Sequence, residues 1–167
     1  MTVGDPRGIG PEIIRAALDD AALRDECEMI VVGPRGAGVP VDAVTGDWPQ
    51  DGSPAAAGAC SGDAIARAVQ LALAGDVDGI VTAPIDKWAL LSGGYDFPGH
   101  TEMLAELTRS RGAMMRASDR LRVVLATTHI ALRDVTVAVT ALAIRSAAEV
   151  TRAGLTDWFG IAAPRIA

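Results

Sequence analysis

A chain of 167 residues, 50% hydrophobic and 22% charged, can bury one sizeable core, which predicts a single globular domain and excludes an intrinsically disordered protein. A formal net charge of −6 without a cluster of Lys and Arg argues against a nucleic-acid-binding surface. The first residues do not have the pattern of a secretory signal, and no apolar run reaches the ~18 residues of a membrane span, so we expect a soluble, cytoplasmic protein that binds neither nucleic acid nor membrane.

The two cysteines predict no disulfide framework and no metal knuckle. Cys27 and Cys60 lie far apart in the sequence and have no partner cysteines at zinc-site spacing. We expect two reduced thiols that serve as small buried hydrophobic residues.

The N-terminal residues predict a strand, a glycine-rich loop and a helix. Residues 1–3 are the end of a strand that enters the loop 4–10, and a helix begins at Pro11, which is favoured at the first helical position. The loop has two interpretations, a phosphate cradle or a tight corner beside a site. The corner is favoured, because the glycine spacing matches neither the dinucleotide-binding nor the Walker pattern.

The middle of the chain predicts further strands and a helix. Residues 28–32 read as a strand, and residues 35–62 read mostly as loop. Ser61 then caps a helix that Gly75 ends, and residues 79–83 form the next strand.

Residues 81–102 carry the densest chemistry in the chain. The strand breaks at Pro84 into a polar loop with Asp86 and Lys87, and Pro98-Gly99 then delivers His100 and Thr101. Such a set of polar side chains after a strand favours a functional site. The alternative is that His100 is only a capping or surface residue.

The remaining segments complete an α/β pattern. Thr101 caps a helix to about residue 110, residues 121–127 predict a strand buried on both faces, and residues 140–159 predict a helix. Alternation of strands and helices predicts a largely parallel sheet with flanking helices. Residues 164–167 resemble the start of another strand, and we therefore expect the chain to be truncated.

The only two histidines follow two of the predicted strands. His100 comes after the strand at 79–83, and Thr127, Thr128 and His129 end the strand at 121–127. Ligands bind at the carboxyl ends of strands in open α/β sheets, so both are candidate site residues. Two histidines alone do not complete a metal site, which normally has three protein ligands.

Five sequence motifs carry a resemblance to a known family. They are GDPRGIGPEI (4–13), VTAPIDK (81–87), FPGHTE (97–102), LRVVLATTHIALRDV (121–135) and FGIAAPRIA (159–167). In this order they resemble 4-hydroxythreonine-4-phosphate dehydrogenase, the PdxA family of vitamin B6 biosynthesis. Arg7, Asp86 and Ala131 depart from the family pattern, in which Ala, Asn and Pro are usual. An added carboxylate beside Lys87 is expected to alter the charge presented to an anionic substrate.

The resemblance implies an isocitrate/isopropylmalate-dehydrogenase-like fold and a homodimer with its active site at the subunit interface. It further implies a metal-assisted oxidation of 4-phosphooxy-threonine by NAD, followed by decarboxylation, with Zn²⁺, Mg²⁺ or Co²⁺ as the ion. By motif, His129 would bind the metal, and His100 and Thr101 would hold the substrate, with Lys87 and Asp86 as neighbours. No residue is identified as the general base.

The family's other metal-binding histidines and most of its nicotinamide-binding segments lie beyond residue 167. The expectation is therefore that residues 1–167 are the N-terminal part of a PdxA-like dehydrogenase whose C-terminal half is absent. Two alternatives remain open. One is a non-catalytic remnant that binds a phosphorylated acid or a partner fragment, and the other is a relative that acts on phosphorylated threonate or erythronate.

Overall fold

The computed structural model describes residues 1–118 and 120–167. These residues form two compact units, Met1–Arg109 and Ser110–Ala167. The prediction of a single domain is therefore wrong, because the segment after Arg109 packs mainly on itself. No helix in the described ranges has both the length and the apolar composition needed to cross a membrane.

Helices and strands of the first unit follow one another as α1 (Gly10–Asp19), α2 (Ala21–Glu26), β1 (Val32–Arg35), β2 (Ala43–Asp47), α3 (Pro54–Ala74), α4 (Lys87–Ser92) and α5 (His100–Thr108). The second unit contains β3 (Met115–Ala117), β4 (Arg122–Val124), α6 (Leu132–Ala138) and α7 (Ala141–Asp157). The predicted α/β class is confirmed by this pattern of helices and strands.

Parallel pairing organises the first unit. β1 pairs in parallel with β2, and Thr2 forms parallel bridges to both Val32 and Thr82. The Thr2 N–H donates to the Val81 carbonyl at 2.9 Å, and the Thr2 carbonyl accepts from the Ala83 N–H at 3.2 Å. The segments around Thr2 and Thr82 therefore end at the same edge of the sheet, which brings the loops that follow them together.

Helices cover this sheet on both faces. Val31 and Val32 are both buried, and successive residues of an extended chain point to opposite faces. Val31 packs in one apolar cluster with Ile14 of α1, and Val32 packs in another with Ala68 of α3. The inner face of α3 includes Ile65, Ala68 and Val69, which are at most 4% exposed.

Two boundaries in the first unit differ from the sequence prediction. β1 extends through Gly33 and Pro34, which were expected to end the strand, because the register shifts between Gly33 and Arg35 and a bulge tolerates the missing N–H of proline. Helix α3 begins at Pro54 instead of after Ser61. Ser53 is the true cap, accepting from the Ala56 N–H at 3.4 Å, while Ser61 is buried inside the helix.

The second unit contradicts the strongest strand prediction. Residues 121–127 were expected to form a strand covered on both faces, but β4 is short and pairs only with β3, in an antiparallel hairpin. Val123 is 42% exposed as a result. The predicted helix at 140–159 is confirmed as α7, and the Thr140 side chain caps it by accepting from the Ala143 N–H at 3.1 Å.

The thiols also differ from their predicted environment. Cys27 and Cys60 are both free, as expected, but Cys27 is exposed and Cys60 is half-buried. Burial raises the pKa of the Cys60 thiol, and the nearby Asp63 carboxylate adds to the effect. The interpretation of both as buried hydrophobic residues is wrong, since Cys27 follows the exposed helix α2.

Glycines allow α3 to contact the segment that holds α4. A Cβ atom on Gly58 would overlap the Ala89 carbonyl oxygen, and a Cβ atom on Gly93 would overlap the Ala59 backbone nitrogen. The backbones of the two helices therefore touch directly, which fixes α4 and the loop before it on the body of the first unit.

We expect Gly58→Ala to lower the free energy of unfolding by about 3 kcal/mol, because the new methyl group can be placed only by moving backbone. Urea unfolding followed by far-UV circular dichroism measures this change. Gly79→Ala is the control, since no atom lies within 4 Å of its Cβ position, and it should stay within about 1 kcal/mol of the parent chain. Equal destabilisation by the two changes would contradict the close contact.

Candidate functional site

Two loops meet at the edge of the sheet where the Thr2 and Thr82 segments end. Gly4 has φ +72°, and a Cβ atom there would overlap the Pro84 carbonyl oxygen. The Asp5 N–H donates to the same oxygen at 3.0 Å. The glycine-rich loop is thus a tight corner packed on the loop after Ala83, in agreement with the favoured interpretation of the sequence.

Arg7 connects these two loops through charge. Its Nε and one terminal nitrogen donate to the two oxygens of Asp5 at 3.1 and 2.7 Å. The same terminal nitrogen lies 3.6 Å from an oxygen of Asp86. Burial of Asp5 alone would raise the pKa of its carboxyl group, but the hydrogen bonds and the charge of Arg7 outweigh that effect and hold the pKa below its usual value.

Asp86 also determines where α4 begins. Its Oδ1 accepts from the Trp88 and Ala89 N–H groups at 2.8 and 3.0 Å, which is the geometry of a helix N-cap. The sequence interpretation left this segment as a loop, although an aspartate followed by a short apolar stretch was a usable signal. As a consequence, Lys87, the only lysine of the chain, occupies the first helical position.

His100 begins α5, and its imidazole is partly buried. The Nε2 atom is inaccessible to solvent and has no hydrogen-bond partner within the described residues, and the same holds for Oε2 of Glu102, two residues further along α5. Gly99 leaves open the point where a Cβ atom would stand, 3.5 Å from this Glu102 oxygen and 3.8 Å from Cε of Lys87. Lys87 and Glu102 therefore border one small space beside Gly99, and the charge of Lys87 also acts on the neighbouring His100.

Burial lowers the pKa of His100 below its ordinary value, and the positive charge of Lys87 lowers it further, while a hydrogen bond with the backbone of Ala83 acts in the opposite direction. The imidazole is therefore predominantly neutral at pH 7. An anion beside Lys87 would favour the protonated form, so this site can couple anion binding to proton uptake.

The sequence predicted that Thr101, which follows His100, caps α5. The structure contradicts this prediction. The N-cap residue is Gly99, without a side-chain cap bond, because α5 begins two residues earlier than expected. Thr101 is instead the second helical residue and half-buried. Its predicted role in holding substrate is not tested by this position.

His129 belongs to the second unit, whereas the residues described above belong to the first. It is exposed and has φ +59°, a left-handed conformation that is uncommon for residues other than glycine. The positions described contain no group of three His, Cys, Asp or Glu side chains able to hold a metal ion. The assignment of His129 as a metal ligand stays a prediction.

A cavity elsewhere in the first unit is lined by none of the predicted site residues. It has a volume of about 740 Å³, and its walls are mainly apolar, including Ile30, Leu71 and Val77. A cavity of this size could hold a small molecule. The convergence of charged groups and unpaired buried polar atoms selects the space beside Gly99 instead.

Sequence reasoning missed the participation of Asp5 and Glu102. Asp5 was part of a loop judged only by its glycines, although an aspartate two residues before an arginine indicates a local ion pair. Glu102 follows His100 by two residues and was noted only as a carboxylate of the stretch. Its burial without a partner is a property of the folded chain and had no signal in the sequence.

We expect His100 to titrate with a midpoint below the ordinary 6.5, because burial and Lys87 both oppose its protonation. The imidazole proton resonances in NMR report this midpoint, and Lys87→Met should raise it. Because the unfolded chain takes up the proton first, stability contributed by neutral His100 should fall as the pH drops below 6.5. An unchanged midpoint in Lys87→Met would show that the two side chains do not interact.

Known proteins match the chain over nearly its full length. The family described as pyridoxal phosphate biosynthetic protein PdxA matches residues 13–167. A 4-hydroxythreonine-4-phosphate dehydrogenase of Trichlorobacter lovleyi is 37% identical, covering 100% of this chain and 60% of the relative. A D-threonate 4-phosphate dehydrogenase of Pectobacterium atrosepticum is 38% identical, covering 80% of this chain and 51% of the relative.

The structural match agrees with the sequence match. A crystal structure of a 4-hydroxythreonine-4-phosphate dehydrogenase from Burkholderia phymatum superimposes with a TM-score of 0.81 at 31% identity, covering 98% of this chain and 59% of that protein. The chain spans about 60% of the length of the Trichlorobacter lovleyi relative. On the extent of the family match, the chain belongs to the PdxA family.

Proposed function

We propose that this chain serves the NAD-dependent, metal-assisted oxidation and decarboxylation of 4-phosphooxy-threonine in pyridoxal phosphate biosynthesis. The names of its relatives support this activity, and the chain would correspond to the N-terminal part, residues 1–167, of such a dehydrogenase. A cytoplasmic homodimer with an isocitrate/isopropylmalate-dehydrogenase-like fold belongs to the same proposal.

One observation carries the proposal, namely the unpaired and buried Nε2 of His100 beside the ammonium group of Lys87. A buried polar atom without a partner is costly, and a ligand oxygen that hydrogen-bonds to it removes that cost. A phosphate group brings both acceptor oxygens and negative charge. It would pair with the charge of Lys87 and stabilise the protonated imidazole of His100.

The position of these residues on α5 favours the same ligand. His100 and Thr101 are the first two residues of the helix, where unpaired backbone N–H groups and the helix dipole attract anions. Thr101 supplies a hydroxyl group next to the imidazole. We assign His100 and Thr101 to the phosphate-bearing chain and polar groups of the substrate, with Lys87 as the neighbouring positive charge and Asp86 as its helix cap.

The metal part of the proposal rests on His129 alone in this chain. A divalent ion in a catalytic site normally has three protein ligands, and the described residues offer no such group. One exposed imidazole does not fit a firmly held Zn²⁺, Mg²⁺ or Co²⁺ ion. No step of the chemistry is therefore derived through the metal, and His129 is proposed only as one of its ligands.

The NAD part has no matching cradle among the described residues. The glycine-rich loop 4–10 is the natural candidate, but Gly4 and Gly10 are used for contact with backbone, at Pro84 and Val3. The backbone of Pro84 and Val3 thus occupies the space that a cofactor would need beside these two glycines. NAD is proposed as hydride acceptor because the relatives are named dehydrogenases, with no binding residue assigned to it.

A second candidate substrate is D-threonate 4-phosphate, because a relative of 38% identity carries that name. Both substrates have a phosphate group at C4 and differ in the substituent at C2, which is an amino group in one and a hydroxyl group in the other, so the anion site suits either. Phosphorylated erythronate belongs to the same class. A chain that binds the phosphorylated acid or a partner fragment without catalysis is the remaining alternative.

We expect His100→Ala to weaken binding of 4-phosphooxy-threonine by about 10- to 100-fold, the equivalent of one charge-assisted hydrogen bond. Isothermal titration calorimetry measures the affinity, with D-threonate 4-phosphate titrated in parallel. His129→Ala, compared in the absence of any metal ion, is the matched control, since the change is identical and His129 is assigned to the metal alone. Equal losses in both variants would argue against a substrate role specific to His100.

We expect His129→Ala to weaken Zn²⁺ binding while His100→Ala retains it, because only His129 is assigned to the metal. NADH formation with 4-phosphooxy-threonine and Zn²⁺ or Mg²⁺ then tests the whole activity by absorbance. Ligand binding without turnover would favour the non-catalytic alternative for this chain. Unchanged Zn²⁺ affinity in His129→Ala would remove the metal assignment.

A further inference from the structure

We propose that Arg7 is a positioning residue of the anion site, which bridges Asp5 and Asp86 and so opposes the negative charge of Asp86 next to Lys87. The proposal rests on the anion-binding role given to His100 and Lys87 above. Its consequence is that Arg7 controls the affinity of the site for a phosphate group without itself being a ligand of that group.

Asp5 fixes the guanidinium group of Arg7. Two parallel hydrogen bonds join the groups at 3.1 and 2.7 Å, and the Arg7 backbone N–H donates to the same carboxylate at 2.8 Å. The Asp5 side chain is 8% exposed, so this pair is well shielded from water. A two-point contact of this kind determines the plane of the guanidinium as well as its place.

The two oxygens of Asp86 have different tasks. Oδ1 caps α4, and Oδ2 lies 3.6 Å from the terminal nitrogen of Arg7. Capping alone needs one oxygen and no charge, because asparagine caps helices as well as aspartate does. The charge of Asp86 is therefore not required by α4, and Arg7 is the group that compensates it.

Lys87 is the residue affected by this balance. It follows Asp86 directly, and the described residues show no ion pair between Lys87 and a carboxylate. Its Cε lies 3.8 Å from the Cβ position of Gly99, the residue before His100, and its charge contributes to the lowered pKa of that imidazole. With Arg7 in place, the Asp86 charge is opposed by a guanidinium, so the field of Lys87 remains available to an anion at His100.

The charges of Asp5, Arg7 and Asp86 predict that Arg7→Ala and Asp86→Asn change the affinity for phosphate in opposite directions. Asp5, Arg7 and Asp86 together carry one net negative charge. Arg7→Ala leaves two negative charges near Lys87, Asp86→Asn leaves none, and the double variant restores one. A residue that only holds two loops together would instead weaken the site in both single variants.

The test is a titration of the full chain with inorganic phosphate, followed by the NMR imidazole resonances of His100. His129 is the internal reference. We expect Arg7→Ala to weaken phosphate binding by about two- to fivefold and Asp86→Asn to strengthen it by a similar factor, with the double variant close to the parent chain. The pKa of His100 should rise in the first variant and fall in the second. These differences should shrink in 1 M salt, where the Debye length is about 3 Å.

Two further variants keep the result decisive. Arg7→Lys retains the charge and should stay within about twofold of the parent affinity. Arg35→Ala removes the same charge from an exposed pair with Asp47 and should leave phosphate binding unchanged. Should Arg7→Ala fail to fold, Asp86→Asn and Arg7→Lys still test the sign of the effect.

Weaker binding in both single variants, or a loss in Arg7→Lys as large as in Arg7→Ala, would overturn the proposal. Failure of the underlying function gives a different result, since the His100 resonances of the parent chain would then not respond to phosphate at all. In that case opposite changes in the pKa of His100 would still confirm that Arg7 balances Asp86.

Discussion

The pairing of Thr2 on both of its sides is the constraint on which the rest of the first unit depends. Thr2 is completely buried, its own backbone bonds to Val81 and Ala83, and the backbones of Met1 and Val3 on either side of it bond to Val32. The chain on either side must therefore leave the sheet at one edge, with its loops in contact. Gly4 accepts this contact because it has no Cβ atom, and the Asp5 N–H completes it by donating to the Pro84 carbonyl at 3.0 Å. The ion pairs of Arg7 follow from that junction.

Unpaired buried polar atoms are informative only together with their surroundings. The hydroxyl groups of Thr2 and Thr45 also lack hydrogen-bond partners among the described residues, and both belong to paired backbone segments. His100 differs, because its free nitrogen lies in the first turn of a helix and within the influence of Lys87. Desolvation favours the neutral imidazole. An anionic ligand would favour its protonated form and would also be attracted by the helix N-terminus and by the charge of Lys87. Burial, helix terminus and charge thus favour the same class of ligand.

Local patterns predicted the elements whose boundaries are fixed by local chemistry. The start of α1 is correct to within one residue of Pro11, and the end of α3 before Gly75 is correct, because caps and turn residues act over a few positions. The prediction of a strand buried on both faces at residues 121–127 is wrong, because apolar content indicates burial without indicating which element provides the cover. For the site, local reasoning selected His100 and Lys87, but the roles of His100 and His129 came from the family resemblance. The contacts of Asp5 and Glu102 depend on tertiary packing, which no local pattern contains.

Charge balance shows why single positions are hard to interpret in a sequence. Asp86 was expected to disturb the charge presented to an anionic substrate, and taken alone beside Lys87 that expectation is sound. The folded chain places Arg7, 79 positions earlier, at 3.6 Å from the same carboxylate. The family resemblance implies that both positions depart from the usual residues, and the two side chains carry opposite charges. A change that looks unfavourable at one position is therefore neutralised at another, and only the junction created at Gly4 and Pro84 brings the two together. The electrostatics of this site belong to the pair of loops and not to either loop alone.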